Sequence, residues 1–307
     1  MPKKKLDLND YIFPLFMNGL QGRMLRMPAP KNKKREILFI YGLHASLERQ
    51  FGIAEFLNKY GAVTMPDLPG FGGMQSFYKI AEKPSIDNLA DYLASFIKLR
   101  YKNKKVTIMA VSFGFVVVTR MLQKYPDLAK KVELLVSVVG FVHHDEFLYR
   151  RRNKTFFRYV ASFFSNRAPA WFCRNIILRP AFIRATYRHV AERHAKLKDA
   201  DVAERDRRID FEVTLWQSND IRTYMDNLVS MFKLDLCTKQ VNLPVHHIAV
   251  AHDAYFDNHL VSEHMKVIYS DVTVVSSRLL AHAPTVIADA KDAAGIIPLK
   301  IRRLLSQ

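Results

Sequence analysis

Two cysteines in 307 residues, Cys173 and Cys237, leave no disulfide framework and no cysteine-based zinc site to build on. Thiols so few and so far apart in sequence fit a reducing compartment. Long apolar runs are lacking as well. The most hydrophobic stretch, residues 106–119, falls short of the roughly 20 residues that cross a bilayer and is interrupted by Ser112 and Gly114. The start Met1-Pro2-Lys3-Lys4-Lys5 is basic, but Asp7 and Asp10 follow it where a secretory leader would place an apolar core. The glycines of Gly70-Phe71-Gly72-Gly73 lack the lysine and hydroxyl residue of a phosphate loop, and no His-Glu-x-x-His run or ligand cluster is present. No cofactor and no metal are therefore expected, and the expected location is the cytoplasm, with peripheral attachment to a membrane as the variant case. Acidic residues are scarce too: 29 stand against 47 lysines and arginines, a formal net charge of +18.

What is present is a hydrophobic content of 49%, enough for a large core and for one domain carrying an insertion. Strand-like and helix-like runs alternate, which predicts a mostly parallel sheet covered on both faces. The predicted strands are 37–41, 62–65, 106–109, 132–139, 245–251 and 272–275, with helices over 47–60, 86–100, 117–124 and 288–305. Ser85 supplies the cap of the second helix. Residues 142–236 carry helical patterns and no convincing strand. The expected organisation is a core over 1–141 and 237–307, with a helical lid over 142–236.

Ala110-Val111-Ser112-Phe113-Gly114 places a serine where a buried strand turns into a helix, the position of a nucleophile elbow. Alanine replaces the usual first glycine. Phe39-Ile40-Tyr41-Gly42-Leu43 is similar to a strand followed by His-Gly-x, with Tyr41 in the histidine's place, and residues 65–72, Met-Pro-Asp-Leu-Pro-Gly-Phe-Gly, are close to an Asp-x-Pro-Gly-x-Gly turn. Residues 248–253 end an apolar strand on Asp253, and Ala281-His282-Ala283-Pro284 forms a late loop. In these segments and their order the chain resembles the α/β-hydrolase superfamily. The resemblance implies the α/β-hydrolase fold and a triad of Ser112, Asp253 and His282 in that chain order. It also implies an oxyanion hole made by the backbone N–H groups of Leu43 and Phe113. Asp257, four residues beyond Asp253, competes for the acid's role; its other reading is a carboxylate at a helix start. His143, His144, His189, His194, His246 and His247 are weaker candidates for the base than His282.

A serine nucleophile needs a base in hydrogen-bond reach, and a serine at this elbow points to acyl transfer from an ester or related acyl compound through an acyl-enzyme. The expected activity is that of a serine-dependent hydrolase of carboxylic esters or related acyl compounds, with lipid-like molecules among the expected substrates. The alternative is a weakly active or non-catalytic member of the same fold that binds anionic surfaces. That alternative rests on charge. Between Arg150 and Lys198 thirteen basic residues stand against one acid, Glu192, interleaved with aromatics from Phe156 to Tyr187. Such a lid suits an anionic membrane interface; the plainer account makes its aromatics a pocket lining and its arginines solvated charge. Nucleic acid is disfavoured, because no recognition motif accompanies the charge.

Overall fold

A computed structural model describes residues 6–190, 201–277 and 290–307. Eight strands form one sheet in the order β1-β2-β4-β3-β5-β6-β7-β8. Its antiparallel edge is a hairpin of β1 (Ile12–Met17) and β2 (Leu20–Met27), paired Met17 to Leu20 across Asn18-Gly19. Both turn residues take positive φ, 52° and 75°, which is the backbone that an Asn-Gly pair supplies for a tight hairpin. β2 also pairs antiparallel with β4 (Gly61–Pro66). The remaining neighbours, among β3 (Arg35–Ile40), β4, β5 (Val106–Val111), β6 (Val132–Val138), β7 (Val241–Val250) and β8 (Tyr269–Ser277), are parallel.

Parallel neighbours need crossovers, and helices supply them. α1 (Leu47–Asn58) links β3 to β4, α2 (Ile86–Arg100) links β4 to β5, and α3 (Phe113–Lys124) links β5 to β6. Every residue of β5 is buried, as expected for a central strand covered on both faces. α2 starts as predicted: the Ser85 side chain accepts from the Asn88 N–H.

Between β6 and β7 the described residues form helices: α4 (Arg151–Phe164), α5 (Arg167–Phe172), a π-turn at Cys173–Ile177, α6 (Pro180–Val190), α7 (Val202–Ser218) and α8 (Ile221–Met231). After β7 comes α9 (Asn258–Ile268). The closing helix expected over 288–305 is instead two, α10 (Ala290–Ile296) and α11 (Leu299–Ser306), because Pro298 has no N–H to continue the ladder and caps the second. Among the described residues, no helix is long and apolar enough to cross a membrane.

Candidate active site

The elbow is built by what small residues permit. Ser112 lies between β5 and α3 with φ 48° and ψ −119°, outside the regions that a side chain ordinarily accepts, a conformation that costs on the order of 1–3 kcal/mol and persists only when its surroundings impose it. Two glycines make room for it. A methyl group on Gly114 would come 2.4 Å from the Tyr41 carbonyl oxygen, so α3 can sit directly on the end of β3 only without one, and a methyl on Gly42 would press to 3.2 Å against the Ser112 Cβ. Ala110 is wholly buried beneath the turn. Phe113 is the first residue of α3, where an N–H has no acceptor within the helix.

Ser112 and Leu43 open onto one cavity of about 440 Å³. Phe157, Val160 and Ala161 of α4 roof it, and Leu228 and Met231 of α8 close one side. Tyr255 and Phe256 form another wall, and their N–H groups donate to Asp253 Oδ1 at 2.8 and 3.2 Å, so the loop after β7 that carries this carboxylate borders the same space. Asp257 Oδ1 accepts from the His259 and Leu260 N–H groups at 2.9 and 3.2 Å and caps α9, the helix-start arrangement that its sequence context also allowed. His282, in 278–289, and His194, in 191–200, lie outside the described residues. His247 is taken up in the core, its Nδ1 2.9 Å from Ser137 Oγ, and His246 sits beside it within β7.

The α/β-hydrolase fold family model matches residues 36–280. The chain belongs to the α/β-hydrolase fold family. Solved structures agree on the fold. An esterase from Thermogutta terrifontis superposes with a TM-score of 0.59 at 17% identity, covering 97% of this chain and 98% of its own. The epoxide hydrolase CorEH gives 0.66 at 13% identity, with 96% of each chain covered. A membrane phospholipase A described as a bacterial virulence factor gives 0.66 at 12% identity, covering 96% and 84%. At such identities the likeness is one of fold alone. No curated protein matches the chain in sequence.

The departure at Tyr41 has a structural purpose in this α/β hydrolase. Its fully buried hydroxyl donates to Asp67 Oδ1 at 2.7 Å and accepts from the Leu68 N–H at 3.0 Å. Burial, and then the Asp67 charge, push its pKa well above 10, so it remains a donor. The other Asp67 oxygen accepts from Arg23 Nε and the Gly73 N–H, and Arg23 in turn grips Glu48 with both terminal nitrogens. Tyr41 thus ties the end of β3, directly before Gly42 and Leu43, to the Asp67–Gly73 turn. Asp67 is deep enough that burial raises its carboxyl above the usual range despite Arg23.

Sequence reasoning missed a second group at the cavity, His44. It has a positive φ of 54°, its ring lies 4.3 Å from that of Trp216, and its two nitrogens meet Glu212 at 3.2 Å and Asn219 Nδ2 at 3.2 Å. Asn219 Oδ1 accepts from the Gly72 N–H at 2.9 Å, which fixes the amide so that its nitrogen donates to His44 Nδ1; the His44 proton then sits on Nε2, toward Glu212. Glu212, 3% exposed on α7, also lies 4.0 Å from Arg49 and accepts from Tyr187. The helices above the cavity are thereby fastened to the loop that carries Leu43. The adjacency of His44 to the Gly42-Leu43 turn was the available signal; its carboxylate partner lies 168 residues away, beyond the reach of any local pattern.

For metals, the described residues bring together His143, His144 and Asp145, with donor atoms within 4.8 Å of one another. None of the three lines the Ser112 cavity.

Proposed function

We propose that this protein is a serine acyl hydrolase of esters with apolar acyl chains. The observation that carries the reading is the imposed left-handed backbone of Ser112 at the mouth of an apolar cavity. In the proposed reaction the Ser112 Oγ attacks the ester carbonyl carbon while its proton passes to an imidazole, for which His282 is the candidate. The Leu43 and Phe113 N–H groups stabilise the resulting oxyanion. Collapse breaks the C–O bond, the alcohol leaves with the proton, and water then cleaves the acyl-enzyme and returns the serine hydroxyl. Asp253 is the candidate for orienting the imidazole, since Tyr255 and Phe256, whose N–H groups it accepts, line the Ser112 cavity, whereas Asp257 accepts from the first turn of α9. The test is a panel of nitrophenyl esters of graded chain length on wild type and Ser112→Ala. Turnover that rises with chain length and vanishes in the variant supports the reading; equal turnover by the two proteins refutes it.

A second reading, attachment to an anionic bilayer through α4, is supported by exposure. Phe156, Tyr159 and Phe163, spaced i, i+3, i+7, are 63%, 66% and 60% exposed, with Trp171 at 64% on the following helix and Arg152 on the same face of α4. Phe157 alone of the α4 aromatics lines the cavity. An aromatic face with cations at its margin matches the physical profile of an interfacial helix. Co-sedimentation with neutral and acidic vesicles decides it: binding that needs acidic lipid and weakens with salt supports the reading, and none under any condition removes it.

A further inference from the structure

Helix α4 carries a third face. At about 100° per residue, Arg151, Lys154, Thr155 and Arg158 fall within one arc of about 100°, separate from the aromatic face and from the face over Ser112. They line a second cavity of about 610 Å³, completed by His144, Asp145, Phe232 and Lys233. Phe232 lines the Ser112 cavity too, so the two spaces share a wall.

The charges of this cavity are unusual in their partners. Among the described residues, no carboxylate lies within 4.0 Å of Arg151, Lys154, Arg158 or Lys233, and Lys154 donates only to the His144 carbonyl oxygen, at 3.1 Å. Asp145, the one acid in the lining, lies 3.8 and 3.5 Å from His143 and His144 and farther than 4.0 Å from each of the four cations. Two helices away, arginines of the same basic segment are neutralised: Arg184 pairs with Asp210 at 2.7 Å and Arg188 with Asp206 at 3.0 Å. Four cations against one carboxylate leave an excess of positive charge in this concavity, and an anion bound among the cations would relieve their repulsion. Two guanidinium forks and two ammonium groups offer the donor geometry that phosphate oxygens take.

We infer that this cavity holds a phosphate group carried by the acyl substrate, so that the preferred ester is a phosphate-bearing one with its acyl chain in the neighbouring apolar cavity. Along α4 the linings of the two cavities are offset by about 5–10 Å, the rise from Lys154 to Phe157 and Ala161, and Phe232 borders both, so one ligand of modest length can reach from one to the other. The inference rests on the serine hydrolase reading for the ester, but the anion site itself does not.

Turnover of a monoacylglycerol and of the monoacylglycerol phosphate with the same acyl chain is compared in wild type and in Arg158→Gln/Lys233→Gln, with circular dichroism confirming the fold; Arg158→Gln alone serves if the double variant misfolds. The wild type is expected to favour the phosphate ester by about tenfold or more in kcat/KM, and the substitution to collapse that ratio toward unity. Equal turnover of the two esters by wild type, or an unchanged ratio in the variant, overturns the inference. Calorimetric titration of Ser112→Ala with glycerol phosphate and inorganic phosphate separates the sources. Binding of these that the substitution weakens extends the site to soluble phosphates, whereas competition by the acylated phosphate alone restricts it to a lipid headgroup. Phosphate binding without turnover of any ester would refute the hydrolase reading and keep the anion site; absence of both binding and preference removes the site.

Discussion

Replacing Tyr41 with phenylalanine deletes one buried oxygen atom from the centre of the Asp67 network. The hydroxyl is wholly buried and makes two hydrogen bonds, donating at 2.7 Å to a carboxylate and accepting at 3.0 Å from the Leu68 N–H. A hydrogen bond to a charged group contributes about 1.5–3 kcal/mol, and a buried N–H left without its acceptor costs about 1–3 kcal/mol. The two losses share one site and will not add fully, so about 3 kcal/mol is expected for Tyr41→Phe. Asp67 keeps Arg23 and the Gly73 N–H, which stops the loss from being larger. Urea denaturation should show a lower midpoint at an unchanged slope. A double-mutant cycle with Asp67→Asn should return a coupling of at least about 1 kcal/mol, as residues in direct contact do. Since Tyr41 immediately precedes Gly42 and Leu43, kcat/KM for a nitrophenyl ester should fall as well, through kcat more than KM. A variant within about 0.5 kcal/mol of wild type, with no coupling to Asp67, would refute this account of the tyrosine.

Further outcomes follow from the same geometry. Asp253→Asn is expected to lower kcat by about 10⁴ with little effect on stability, whereas Asp257→Ala should cost about 1 kcal/mol by uncapping α9 and spare most turnover; stopped assays and denaturation on both variants check this, and the reverse pattern would move the acid. Gly114→Ala sets a methyl 2.4 Å from the Tyr41 carbonyl oxygen, a contact with backbone that cannot rotate away, so it should destabilise by about 2 kcal/mol or more and yield little folded protein in an expression and melting assay. Glu204, at the start of α7, is held down at about 2 by hydrogen bonds from Arg207 and Arg208. A depressed carboxyl stabilises the fold above its unfolded pKa and loses that contribution as pH falls toward about 2, so any stability gap between wild type and Glu204→Gln should be present near pH 7 and close on acidification below about 4.

The parts of the fold legible in the sequence are those written in local pattern. β5 announces itself as a run that is apolar but for Thr107, because a central parallel strand is buried on both faces, and α2 because Ser85 and its periodic apolar face are contiguous. The elbow and the Asp67–Gly73 turn are legible for a related reason: each needs small residues at fixed offsets. The β1–β2 hairpin lies outside the predicted strands although Asn18-Gly19 spells its turn, because these edge strands are only partly buried and carry no continuous apolar run. Tyr41 read as a blemish in a motif. Its partner Asp67 was in view, but a 26-residue separation hides the bond that makes it a substitute holding the turn in place.

Charge shows most sharply what a sequence count conceals. Thirteen basic residues against one acid read as a single cationic module, yet the acids that answer several of them arrive later in the chain, on α7. Asp206 and Asp210 face Arg188 and Arg184 and stitch α6 to α7, and Arg174 donates to the carbonyl oxygens of Trp216, Gln217 and Asn219 at the far end of the same helix. These arginines are structural, and neutralising them should loosen the helices before it affects any anion. The cations of α4 have no such counterpart among the described residues. An anion held by the α4 cations would meet the helix that also roofs the Ser112 cavity, so the proposed charge recognition and ester chemistry would fall on two faces of one helix. On the proposed phosphate site, Arg158 variants should alter which ester is chosen more than how fast a chosen ester is cleaved.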